Sequence, residues 1–120
     1  MFTIKTTRSV DDSQIENILT SALETSVCNY WLTLTGYRKP RGPVPEYRQG
    51  YPLGRYGYLE FQVEDGTKRY RLGRRAIQKG LQVMAEKDPC AFDDLVTEHD
   101  DANTADVFMQ CCLLGEVIYG

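Results

Sequence analysis

The sequence predicts an α+β fold, a small antiparallel sheet with a central hairpin, packed by about three to four helices. Three observations predict it. Apolar residues recur at helical spacing near the N-terminus and again across the C-terminal half. A middle stretch alternates apolar and polar side chains with a period of two. Two alternating runs there are separated by Glu64-Asp65-Gly66-Thr67, whose Asp-Gly pair is a hairpin turn signal.

Taken in order, Phe2, Ile4 and Thr6 alternate with polar neighbours and predict a short strand over 2–7. Ser9 or Asp11 can cap the helix predicted over 11–25, where Ile15, Ile18, Leu19, Ala22 and Leu23 form one apolar face. Residues 27–35 are rich in β-branched and aromatic side chains and predict a strand or extended segment. Residues 36–54 carry Gly36, Pro40, Gly42, Pro43, Pro45, Gly50, Pro52 and Gly54, so an irregular loop is expected there. The hairpin spans 56–72, with Leu59, Phe61 and Val63 on the core face opposite Tyr70 and Leu72. Ala76, Ile77, Gly80, Leu81 and Met84 predict a helix over 74–87, and Phe92, Leu95 and Val96 a short one over 90–97. Asn103 or Thr104 is the expected cap of a last helix whose apolar surface is Val107, Phe108, Cys111, Cys112 and Leu114. Gly115 stops it, and 116–119 reads as a terminal strand. The length of 120 residues suits one domain, 1–120, without internal repeats.

The N-terminus lacks a signal-like apolar stretch, and no apolar run approaches the roughly 20 residues of a membrane span. A cytoplasmic protein with no membrane partner is expected. Cys28 and Cys90 are isolated, Cys111 and Cys112 are adjacent, and there is no C-x-x-C, which predicts reduced thiols.

The net charge of −3 conceals an asymmetry. Residues 38–79 hold eleven basic and four acidic residues, a net +7; residues 86–116 hold nine acidic and one basic, a net −8. Such a split points to recognition of a charged partner. In the basic segment Arg38, Lys39, Arg41, Arg48 and Arg55 alternate with Tyr37, Tyr47, Tyr51, Tyr56 and Tyr58. Arginine for phosphate and tyrosine for stacking is the pairing that single-stranded nucleic-acid sites use, and protein hot spots use it too. The acidic segment offers Asp93, Asp94, Glu98, Asp100 and Asp101 as a face that could occupy a Lys/Arg groove. A DNA-reading helix there is excluded by its own charge.

Chemistry finds little support. His99 is the only histidine and sits among Glu98, Asp100 and Asp101, the setting of a solvated loop side chain. The paired acids Asp93/Asp94 and Asp100/Asp101 point apart on a helix. Calcium-loop spacing, zinc-ligand spacing and a phosphate-binding glycine loop are all missing, so no catalytic residue, metal or cofactor is expected.

Two stretches carry a resemblance. Ala22-Leu23-Glu24 with Asn29-Tyr30-Trp31, and Asp101 to Phe108 running to Leu114-Gly115-Glu116-Val117-Ile118-Tyr119-Gly120, resemble a group of small proteins of bacteriophages and mobile elements. The match covers about a third of the chain; Thr25-Ser26-Val27-Cys28 stand where that group commonly has glycines. The resemblance implies a phage-type origin and, by analogy of class, an anti-CRISPR-like inhibitor of a bacterial defence complex acting by protein–protein contact. The alternative is a nucleic-acid-binding accessory protein using segment 37–75. The expected partner is thus a host protein or nucleoprotein complex, or nucleic acid itself. The expected contact residues are Arg38, Lys39, Arg41, Tyr47, Arg48, Tyr51 and Arg55 on the basic side and the five acids named above on the other.

Overall fold

The computed structural model describes residues 1–3, 8–38, 52–54, 56–64 and 66–120. Its elements run α1 (Asp12–Glu24), β1 (Leu32–Arg38), β2 (Tyr58–Val63), β3 (Arg69–Leu72), α2 (Arg74–Lys87), α3 (Pro89–Val96) and α4 (Ala102–Leu114). This is an α+β fold, with four helices and one three-stranded antiparallel sheet among the described residues, in the order β1-β2-β3.

Helix α1 begins where its residues demand it. Asp11 accepts from the Gln14 backbone N–H and Gln14 reaches back to the Asp11 N–H, a reciprocal cap. Ile15, Ile18, Leu19 and Ala22 then fall on one buried face. The hairpin register pairs Leu59 with Leu72 and Phe61 with Tyr70. Directly opposed residues share a face, so Leu59, Phe61 and Leu72 enter the core together. The opposite, solvent face carries Glu60 paired with Arg71 and Gln62 with Arg69.

Helix α4 is the centre of the molecule. Residues 104–111 are all buried, and the helix packs against α1, α2, α3 and β3. It approaches α2 tightly at Gly80, where an added Cβ would lie 2.6 Å from the Cys112 Cα. The helix ends at Gly115, whose φ of 74° is the left-handed conformation that stops helices.

Several expectations need correction. The strand expected over 27–35 begins only at Leu32, because 27–31 turn; it then runs through Gly36 and Tyr37 to Arg38, past a register irregularity between Leu34 and Gly36. Pairing with β2 overrides the glycine there, so residues 36–38 belong to the strand. The cap of α4 is Asp101; Thr104 is instead the third helical residue and completes a reciprocal cap with it. No strand forms over 116–119, since the Ile118 and Tyr119 N–H groups donate to the Gln110 side chain. The turn residue Asp65, most of the 2–7 strand and most of the 36–54 loop lie outside the described residues.

Candidate functional site

The two ends of the hairpin and the start of α2 enclose a cleft of about 760 Å³. Tyr56, Tyr58, Arg71, Arg74, Arg75 and Lys79 line it, with Gly54, Gly57 and Gly73 in its wall and Cys112 contributed by α4. A second depression of about 630 Å³, lined by Arg74, Arg75, Gln78 and Lys79, adjoins it through three shared cations.

Local structure explains the convergence. Gly73 caps α2 with no side chain of its own, and a Cβ there would stand 3.3 Å from the Gly57 carbonyl oxygen. That close approach brings the start of α2 against the turn before β2. The helix buries Ile77, Gly80 and Met84, so helical periodicity turns Arg74, Arg75 and Lys79 outward. The helix N-terminus adds its own positive potential at this end of the cleft.

The cations are not equivalent. Arg71 pairs with Glu60 at 3.4 Å and lies over the Tyr58 ring at 4.5 Å. Arg74 bridges both Asp12 oxygens at 3.2 and 2.7 Å and donates from Nε to the Leu53 carbonyl at 3.1 Å. Arg75 and Lys79 are exposed and carry no ion pair among the described residues. Arg38 is the cross-strand partner of Tyr58 and extends the basic surface onto the sheet.

Of the residues expected on the basic side, Arg38 pairs with the cleft residue Tyr58 without lining the cleft itself, while Lys39, Arg41, Tyr47, Arg48, Tyr51 and Arg55 lie outside the described residues. The expected acids do not form one uncommitted face. Asp101 caps α4, and Asp93 pairs with Arg8 at 3.2 Å. Asp94, Glu98 and Asp100 remain on α3 and the turn after it. Among the described residues no ion pair joins the basic segment to the acidic one. His99 contacts the Thr97 hydroxyl within its own turn.

Arg75 is the last residue of the 37–75 segment and Lys79 lies just beyond it; neither is among the contact residues expected from the sequence. Their i, i+4 spacing opposite the Ile77/Met84 stripe was the available signal.

Asp106, one of the nine acids counted in segment 86–116, is only 8% exposed. Its carboxyl group accepts from Trp31 Nε1 at 2.8 Å, from Tyr30 Oη at 2.5 Å and from Gln110 Nε2 at 3.2 Å, with the Cys28 thiol at 3.8 Å. Gln110 also donates to the Tyr119 carbonyl, and Tyr119 stacks on Trp31 with ring centres 5.4 Å apart. Residues 28–31 and the C-terminal tail thus meet α4 at one polar cluster, which ties the turn before β1 and the tail to that helix.

Burial, then the Asp106 charge, pushes the Cys28 thiol up from 9.0 to about 12. Burial likewise pushes Cys111 up to about 11 and Cys112 well above its ordinary value. The four cysteines are free thiols. The fold holds Cys28 neutral, so its contribution to stability is complete below the unfolded thiol's pKa and declines as pH rises from about 9 towards 12. A urea titration series across that range is expected to show falling stability, with a shallower fall for Cys28→Ala. An equal slope in both proteins would assign the base sensitivity to other groups.

No helix among the described residues is long and apolar enough to cross a membrane, and none of their His, Cys, Asp and Glu side chains cluster as metal ligands. The chain matches no family model, no curated protein and no solved structure.

Proposed function

We propose that the protein is a non-catalytic binding protein whose contact surface is the basic cleft, and that its ligand is nucleic acid. One observation carries this reading: four cations and two tyrosines from separate segments converge on one cleft, and Arg75 and Lys79 stand there with no ion pair among the described residues. Unpaired cations gain the most from a phosphate, because no existing ion pair has to be broken. Tyrosine rings beside them supply the faces on which bases stack.

Inhibition of a bacterial defence complex through the acidic face is the second reading. It draws less support, since Asp101 and Asp93 are engaged within the fold and Asp94, Glu98 and Asp100 remain to form the contact. The thiols held protonated by burial favour binding over nucleophilic chemistry.

Fluorescence anisotropy with labelled oligonucleotides over a salt series tests the proposal. At about 0.7 per phosphate on a single strand, four engaged cations give a log–log salt slope of about −3. The double charge reversal Arg75→Glu/Lys79→Glu is expected to weaken binding by tenfold or more with the melting temperature nearly unchanged, both side chains being exposed. No binding by the unaltered protein at low salt would sink the proposal.

A further inference from the structure

We propose that Tyr56 is a base-stacking residue that selects single-stranded over duplex nucleic acid, an inference that rests on the basic-cleft reading above. Tyr56 has a φ of 63°, the left-handed region that glycine tolerates and a tyrosine adopts at a cost. The turn around it is closed by the Gly57 N–H donating to the Gly54 carbonyl at 3.2 Å. Glycines flank the position at 54 and 57, yet the residue in the left-handed conformation is an aromatic one. Tyr56 is 56% exposed and lines the cleft, so part of its side chain is open to a ligand. A strained backbone that holds a large, half-open ring against a cationic cleft is the arrangement expected where function retains a locally unfavourable residue.

The surroundings say what the ring faces. Tyr58 lies two residues on, with the Arg71 guanidinium over it at 4.5 Å, so the cleft already contains one cation stacked on an aromatic ring. Away from the tyrosines, Arg75 and Lys79 follow each other at one helical turn, about 6 Å along α2, and lead into the second depression. An elongated ligand can place an aromatic base at the tyrosine end and phosphates along the helix. A duplex hides its base faces in the stack, and an acidic peptide has no base to offer, so a single strand fits this division best.

The test measures affinity and thermal stability together for Tyr56→Gly and Tyr56→Trp. The probes are a labelled single-stranded 12-mer, the same sequence as duplex, an abasic 12-mer with the same phosphates, and poly-glutamate. Tyr56→Gly removes the ring and relieves the backbone. We expect its affinity for the single strand to fall about tenfold while its melting temperature holds or rises. Tyr56→Trp keeps single-strand affinity within about threefold of the unaltered protein. The abasic strand binds the unaltered protein about as weakly as the intact strand binds Tyr56→Gly. A Tyr56→Gly protein that binds as before, or one that melts earlier at unchanged affinity, overturns the proposal. So does equal binding of single strand, duplex and abasic strand. In those cases, continued sensitivity of binding to Arg75→Glu/Lys79→Glu leaves the cleft reading standing. Tighter binding of poly-glutamate than of the single strand overturns both.

Discussion

Replacing Asp106 by alanine is expected to cost about 3–5 kcal/mol. The side chain is 8% exposed and accepts from Trp31, Tyr30 and Gln110. Alanine leaves the Trp31 N–H, on a side chain 1% exposed, and one of the two Gln110 amide N–H groups facing an empty space, while the other keeps the Tyr119 carbonyl. Each buried donor without an acceptor costs about 1–3 kcal/mol. A protein of this size has about 5–15 kcal/mol to lose, so Asp106→Ala should be marginally folded at best. Asp106→Asn keeps the volume and one acceptor oxygen and should lose about 2 kcal/mol less. Urea unfolding followed by circular dichroism measures both. A loss below about 1 kcal/mol for the alanine variant would mean that water replaces the carboxyl group and that the cluster is not an anchor.

The second large effect is at Gly80. A Cβ there would meet Cys112 Sγ at 2.3 Å, its Cα at 2.6 Å and its N at 2.8 Å. The sulfur can rotate away, but the backbone of α4 cannot, so α2 and α4 must separate along their shared seam. Alanine gains about 1 kcal/mol of helix propensity over glycine. Overpacking a tight helix contact costs about 1–3 kcal/mol and sometimes more. Because the obstructing atoms are backbone, we expect the upper end, a net loss of about 2–4 kcal/mol for Gly80→Ala. Gly115→Ala is the informative control. Nothing lies within 4 Å of a Cβ there, and only the left-handed φ of 74° is at issue, so its cost should stay near 1 kcal/mol. Equal melting temperatures for the two variants would show that the seam yields without penalty. Adding Cys112→Ala to Gly80→Ala should recover only part of the loss, since the Cα and N contacts persist.

Much of the fold was legible beforehand because it is encoded locally. Helix α2 was expected over 74–87 and runs Arg74–Lys87, since its apolar spacing, the glycine before it and the proline after it all agree. The hairpin followed from a period of two around an Asp-Gly turn. The cap at Asp101 was missed because Asp101, Asn103 and Thr104 can all cap in principle. Burial of Thr104 inside the helix decides among them.

The candidate site was legible only in part. Arginine and tyrosine enrichment pointed to a stretch whose residues Tyr56, Tyr58, Arg71, Arg74 and Arg75 line the cleft, but Lys79 enters it from a helix read mainly for its buried face. The acidic segment holds one member that burial sets apart. Sequence charge counts Asp106 like any other acid, and nothing local distinguishes a carboxyl group that will meet Trp31, 75 residues away, from one left in water.

The sequence by itself determined the α+β class, the order of the helices and hairpin, and the separation of charge into a basic middle and an acidic C-terminal third. These depend on periodicity, capping and turn chemistry among near neighbours. Only the tertiary structure decided which charges meet and which are buried. It gathered Tyr56, Tyr58, Arg71, Arg75 and Lys79 around one cleft and drew Asp106 into the core. The physical reason is that such meetings depend on how helices and strands pack, and packing is set by contacts between residues far apart in the chain.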